Sequence, residues 1–364
     1  MTTDHWPHTI LDMNTLLTQL SIPLPIIQAP MAGVSTVELN VAVSSAGGLG
    51  SIGIGNLDVD ASRMMIRSVR ERSDRPFNVN LFCHRPATED PVRQAAWIER
   101  LRPHFANFDC EPPQSLREIY TSFVQNEPML EMLLEERPPI VSFHFGLPPS
   151  STIAALKQAG TVLLATATNL EEAQAIAAAG IDAVVAQGYE AGGHRGIFDT
   201  SGLDTRLGTL PLTRQLASQL SIPVIAAGGI MEGTDIAEAM QAGASAVQLG
   251  TAFLLCPEAA TDAGYRQRLQ SNAAHETVMT NTISGRPARS LPNVLANLCH
   301  EVEASQVPDY PIAYDAGKAL NAAAKSQGNF DYGAHWAGQG SPRLRSLPAA
   351  ELVQRLHQEM TSGN

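Results

Sequence analysis

The chain is poor in aromatics, cysteines and cations, and each shortage excludes something. Aromatic residues are 5% of 364, so packing must rest on small aliphatic side chains, which suits close contact between helices and strands. The four cysteines, Cys83, Cys110, Cys256 and Cys299, are scattered and form no CxxC. That spacing supports neither a zinc site nor a disulfide framework, and the expectation is buried thiols in a reducing cytoplasm. Lys and Arg number 24 against 36 Asp and Glu, for a net charge of −12. Such a balance argues against nucleic acid or an anionic membrane as the main partner. No apolar run approaches the roughly 20 residues of a membrane span. No N-terminal stretch joins a basic start to an apolar core. The expectation is a cytoplasmic protein without metal, nucleic-acid or membrane partners.

What is present is a folded chain with a large core, 44% hydrophobic and 16% charged. Its length allows one large domain, or a barrel with an appended lobe. Four segments repeat one plan: an Ala-rich helix end, a Gly stop and a short apolar strand. They run through Ala46-Gly47 to Ile52, Ala159-Gly160 to Ala165, Ala179-Gly180 to Val185, and Ala242-Gly243 to Leu249. Strands alternating with helices give parallel βαβ units. Eight strands are expected: 25–28, 49–53, 77–82, 140–144, 161–166, 182–187, 223–228 and 246–250. Eight units favour a closed (β/α)₈ TIM barrel over an open sheet, although periodicity does not show closure. The stretch 85–139 is long and polar, with helices expected at 95–101 and near 129–135. Beyond Gly250 more chain remains than one closing helix needs. Structure of irregular or strand-rich kind is expected over 277–289 and helices over 293–305 and 313–325. The barrel is therefore placed at 1–256, a lid or substrate lobe at 257–335 and a closing segment at 336–364.

The richest segment is Gln187-Gly188-Tyr189-Glu190-Ala191-Gly192-Gly193-His194-Arg195-Gly196, directly after the sixth strand. Its glycines let backbone N–H groups approach a ligand, and catalytic groups gather where parallel barrel strands end. Two further Gly turns, Gly228-Gly229 and Gly250-Thr251, follow the seventh and eighth strands, where barrels commonly cradle phosphate. The first strand ends in Gln28-Ala29-Pro30-Met31-Ala32-Gly33, whose small and flexible side chains suit the face of a planar ring. Asn80 and Gln187 add amides at other strand ends, able to meet the polar edge of an isoalloxazine.

The segments Pro25–Gly33, Gly188–Gly196 and Ala227–Ile230 together resemble the nitronate monooxygenases, formerly called 2-nitropropane dioxygenases. The likeness runs from about Pro25 to Gly340 and is weakest over 85–139. The Glu190–His194 loop is shared with flavin enoyl-acyl-carrier-protein reductases and NADH:quinone reductases. His144-Phe145-Gly146, the set Tyr310, Tyr314 and Lys318, and Trp336–Gly340 resemble the bacterial class I enzymes more specifically. The resemblance implies an FMN-dependent barrel that oxidises alkyl nitronates, such as propionate 3-nitronate, with O2 to a carbonyl compound and nitrite, a detoxifying activity. The nitronate would give one electron to FMN, and oxygen would collect it.

The same resemblance implies FMN contacts for Pro30, Met31, Ala32, Asn80, Gln187, Gly192, Gly229, Gln248, Leu249, Gly250 and Thr251. It implies that His194 faces the reacting carbon and nitro group, holding an anionic nitronate or taking a proton from a nitroalkane. His144 is either a polar pocket group or a packed strand histidine. Tyr310, Tyr314 and Lys318 would share one helix face, as a wall that binds the substrate anion or as a solvated face. Trp336 and Gln339 would close over the flavin, while Arg286 and Arg289 could bind phosphate or pair with the excess carboxylates, surface pairing being the default. Two other readings stay open: an NADH:quinone reductase of the same barrel, and a non-catalytic phosphate-ligand-binding barrel. Nothing in the sequence fixes the oligomeric state.

Overall fold

The four repeats fold as their Gly stops require. The computed structural model describes residues 15–362. In it the helices Val37–Ser45, Ser150–Gln158, Leu170–Ala178 and Gly233–Gln241 end at Ala46, Ala159, Ala179 and Ala242. The next residues, Gly47, Gly160, Gly180 and Gly243, all have positive φ, the conformation that glycine adopts without strain. Each turn delivers the chain into a strand of one parallel sheet. Its strands are β1 (Ile26–Gln28), β2 (Gly50–Gly53), β3 (Phe77–Phe82), β4 (Ile140–His144), β5 (Val162–Ala167), β6 (Ala183–Gln187), β8 (Val224–Ala227) and β9 (Ala246–Leu249). The order is β1-β9-β8-β6-β5-β4-β3-β2. A parallel bridge between Ile27 and Leu49 joins the two ends of the series, with Gln28 N donating to Leu49 O at 2.9 Å. The expected eight-stranded barrel is the observed fold.

Packing decides which end of the barrel can work. One apolar cluster of Ile27, Leu49, Ile140, Leu164, Val185, Ile225 and Ala246 includes Leu16, Leu20 and Ile22 from the start of the described chain. The polar residues Asn80, His144 and Gln187 instead stand at or near the C-terminal ends of their strands. Close helix–strand contact explains the shortage of large side chains: a Cβ at Gly50 would lie 2.2 Å from the Asn40 carbonyl.

A lobe covers the mouth. Its sheet pairs β10 (Val278–Thr280), β11 (Ala288–Ser290) and β7 (Gly193–His194) antiparallel, so the loop after β6 is itself a strand of the lobe. Beneath it, Trp97, Leu101 and Phe105 of the helix Pro91–Ala106 share an apolar cluster with Ile312, Ala316 and Leu320 of the helix Ile312–Ser326. The polar stretch 85–139 thus supplies part of the lobe's core, and its second helix is Glu127–Glu136.

The helix expected over 293–305 is broken into Val294–Asn297 and two 3₁₀ turns, Leu298–His300 and Ala304–Gln306. Leu295, Leu298, Val302 and Val307 all enter one cluster, and the last step of five residues leaves a helical face. The closing helix Ala349–Ser362 packs Leu352, Val353 and Leu356 with Leu39 and Ile236. Cys83 and Cys256 are buried as expected, but Cys110 is exposed and Cys299 half-buried. Among the described residues no helix is long and apolar enough to cross a membrane.

Candidate active site

The C-terminal strand ends and the lobe enclose a cavity of about 320 Å³, within the range of small-molecule sites. Every residue singled out for cofactor or substrate lines it except Gln339. Pro30, Met31 and Ala32 follow β1, and Asn80, His144 and Gln187 come from β3, β4 and β6. Gly192, His194 and Gly229 lie in the loops after β6 and β8, and Gln248, Leu249, Gly250 and Thr251 end β9. Tyr310, Tyr314 and Lys318 reach in from the lobe.

The loops that shape the cavity are locked by backbone contacts. Gly228 and Gly229 have φ of +120° and +70°, a turn that an L side chain would strain. A Cβ at Gly192 would lie 2.4 Å from Gly338 N, so the 336–340 turn lies directly on the Gly-rich loop. Gln339 N donates to Glu190 O at 2.9 Å, and Gly338 N to Thr251 Oγ1 at 3.0 Å. Trp336 lines the cavity, with its ring 4.9 Å from that of His194.

The charges of the Gly-rich loop are committed away from the cavity. Glu190 accepts from Thr209 N at 2.8 Å and Thr209 Oγ1 at 2.9 Å, capping the helix Thr209–Gln219 from outside that helix. Arg195, 1% exposed, donates twice to Asp204 at 3.0 Å and also to the carbonyls of Gln187 and Gly188. The Gln187 amide accepts from Gly196 N at 2.8 Å and donates to His194 O at 3.0 Å.

The histidines differ in what they can offer. His144 has both ring nitrogens engaged, Nδ1 with Thr166 Oγ1 at 3.1 Å and Nε2 with His194 O at 3.3 Å. A carbonyl can only accept, so His144 carries its proton on Nε2. His194 Nε2 meets Ser284 Oγ at 2.8 Å, and that hydroxyl donates to Arg286 O at 3.3 Å. Ser284 therefore accepts from His194, which leaves Nδ1 of His194 with a lone pair for a ligand. Desolvation lowers His194 to about 3 and His144 to about 4, with the neighbouring Arg286 charge contributing to both. A histidine near neutral pKa is thus not what the structure shows: His194 is a neutral acceptor.

The lobe side of the cavity is aromatic. His194 has Phe145, Tyr310 and Tyr314 at ring distances of 5.5, 5.4 and 6.3 Å. Burial pushes the phenols of Tyr310 and Tyr314 upward, so both stay neutral donors. Lys318 is exposed at the rim, its ammonium 4.9 Å from the Tyr120 ring.

Sequence reasoning missed Ser284 and Tyr120, and Phe145 was seen without its role as a wall. Nothing local marks Ser284, because the contact that matters spans 90 positions. Arg286 and Arg289 correct the expectation of surface pairing. They are 6% and 3% exposed; Arg289 donates to Tyr189 O and Thr277 Oγ1, and Arg286 to Ile197 O. Both arginines follow a tight turn of the lobe sheet that buries them, which charge counting does not reveal.

Comparison with known proteins adds to this geometry. A family model described as nitronate monooxygenase matches residues 14–359. A nitronate monooxygenase of Paraburkholderia phytofirmans is 56% identical over 347 residues, covering 95% of each chain. One from Pseudomonas aeruginosa is 54% identical over 341 residues, or 94% of this chain and 97% of its own. Among solved structures, a nitroalkane oxidase of Streptomyces ansochromogenes superposes with TM-score 0.87 at 40% identity, covering 95% and 98%. FabK from Thermotoga maritima follows at TM-score 0.72 and 28% identity, covering 96% of each.

Proposed function

The chain belongs to the nitronate monooxygenase family, and on that premise we propose that it is an FMN-dependent enzyme. It would oxidise alkyl nitronates, propionate 3-nitronate among them, with O2 to a carbonyl compound and nitrite. One observation carries this reading: the flavin-type and substrate-type residues, drawn from distant segments, line a single cavity. The residues fit a flavin mononucleotide. Met31 and Gly250 lie together, a Cβ on Gly250 standing 3.8 Å from Met31 Sδ, so the missing side chain leaves room for a ring beside Met31. Asn80 and Gln248 present amides around it, and the Oδ1 of cavity-lining Asn56 is buried without a protein partner. The turns at Gly228-Gly229 and Gly250-Thr251 would receive the phosphate.

When bound, the flavin supplies the one-electron acceptor chemistry that a nitronate and dioxygen require. The chain's own residues do the rest. His194 Nδ1, with the other nitrogen held by Ser284, is the ring nitrogen left to meet a bound substrate in the cavity. His144 is a positioning residue: with Gln187 it holds the His194 carbonyl and hence the ring. Tyr310, Tyr314 and Trp336 shield the cavity from bulk water, which keeps the reacting groups oriented. Lys318 offers the rim a positive charge.

His194→Ala should leave FMN bound while nitronate turnover falls about 10²-fold, the scale of a lost positioning contact; unchanged turnover would remove His194 from the chemistry. The identity of the reaction is tested by anaerobic rapid mixing of the purified protein with propionate 3-nitronate and, separately, with NADH. Fast change of the flavin spectrum with nitronate alone supports the reading. Full bleaching by NADH would move the answer to a reductase of the kind that the FabK likeness suggests. A protein that shows no flavin spectrum even after FMN is added would support a binding barrel.

A further inference from the structure

Arg286 is a buried cation beside the site that none of these roles uses. It is 6% exposed, and its guanidinium lies 4.3 Å from the centroid of the Phe145 ring. The same ring stands 5.5 Å from His194 and 4.4 Å from His144, and it lines the cavity. Arg286 donates to the Ile197 carbonyl, while its Nε has no partner. The two carboxylates whose charge reaches it are Glu172 and Asp199, and both are committed elsewhere. Glu172 accepts from Thr168 N, Thr168 Oγ1 and Phe198 N. Asp199 pairs with Arg85 at 3.1 Å. A guanidinium withdrawn from water without an anion is strongly unfavourable, so its place here calls for an anion that arrives with function.

Among the neighbours only Lys318 carries a second positive charge, and it sits at the exposed rim where water and salt screen it. His84, which faces Tyr310 at 4.9 Å between ring centroids, has both ring nitrogens buried without a hydrogen bond, Nε2 standing 3.7 Å from Glu118 Oε1, and burial lowers it to about 4. Tyr310 is a neutral phenol, and Lys318 lies exposed at the rim. A nitronate and its parent nitroalkane have the same heavy atoms, so shape and hydroxyl donors distinguish them poorly. Charge distinguishes them, and a path through the Phe145 ring holds no water to screen it. We infer that Arg286 is the specificity-determining charge of the site, selecting the anionic nitronate over the neutral nitroalkane through the Phe145 wall without touching either. The inference rests on the proposed reading of the cavity.

The test is calorimetric titration of the flavin-loaded protein with nitrate, a planar oxyanion, and with nitroethane, its uncharged counterpart. Arg286→Gln should weaken nitrate about 10-fold or more and shift nitroethane less than about 3-fold. In turnover the same variant should raise KM for a nitronate with little change in kcat. Equal weakening of both ligands, or of neither, overturns the inference. Should Arg286→Gln fail to fold, Arg286→Lys serves instead. A buried lysine loses its proton at a lower pH than arginine, so nitrate affinity should fall as pH rises while nitroethane affinity does not. A preference for nitrate that is independent of pH in that variant also overturns the inference. Whether the wild type oxidises propionate 3-nitronate is read separately, so a failure of the proposed function and a failure of Arg286 are told apart.

Discussion

Arg195 and Arg286 flank the same end of the β7–β11 pairing, where Arg195 N donates to Pro287 O at 2.9 Å, and both are buried, yet their surroundings are opposite. Arg195 meets Asp204 through two nitrogens at 3.0 Å and adds three contacts to Gln187 and Gly188. Arg286 has one carbonyl, an aromatic face and no carboxylate that is not already bound to something else. The first arrangement describes a group whose work is finished when the chain folds. The second describes a group that folding alone does not satisfy. A buried charge therefore reads as structural or functional according to its partners, not according to its burial.

The contrast breaks first at Arg195. Arg195→Met takes the guanidinium from the carbonyls of Gln187 and Gly188 and from Asp204, which keeps only the Arg206 N–H. The cost should be about 3–5 kcal/mol, measured as a lower denaturant midpoint, and the flavin should be lost with the loop. A smaller change of opposite sign is expected at Arg286. Arg286→Met removes an uncompensated charge, so folding should be unaffected or stabilised by about 1–4 kcal/mol, measured in the same denaturation experiment. A large destabilisation there would mean that Arg286 is as structural as Arg195.

Neither role was legible in the sequence, although much around them was. The strands followed from Gly stops and short apolar runs, because local chain stiffness sets both. The cavity followed from loop chemistry after strands, with Gly192 falling where backbone approaches backbone and Gly229 where a turn needs positive φ. What failed was non-local. Arg286 and Arg289 looked like surface cations because burial depends on the pairing of β11 with β10 and β7, which sequence spacing does not display. The broken helix after Asn293 failed for the same reason: its apolar residues answer to a cluster shared with Trp97, about 200 positions earlier. His194 looked like a near-neutral titrating group because the aromatic wall that desolvates it comes from three separate segments.

The comparison is sharpened last, and with the smallest expected change, by pH. If the charge of the site resides on Arg286, the histidines should stay silent through the working range. His194 and His144 are held at about 3 and about 4 against an ordinary 6.5. Between roughly pH 4 and 6.5 the unfolded chain therefore binds protons that the folded chain does not. Their contribution to stability is complete above pH 6.5 and is lost as pH falls through about 4. Above pH 5 neither folded ring gains a proton, so their NMR signals should not titrate between pH 5 and 8. An inflection of the His194 ring near 6.5 would place the positive charge on the imidazole itself. Arg286 would then be redundant in selecting an anion, and its lack of a partner would need another cause.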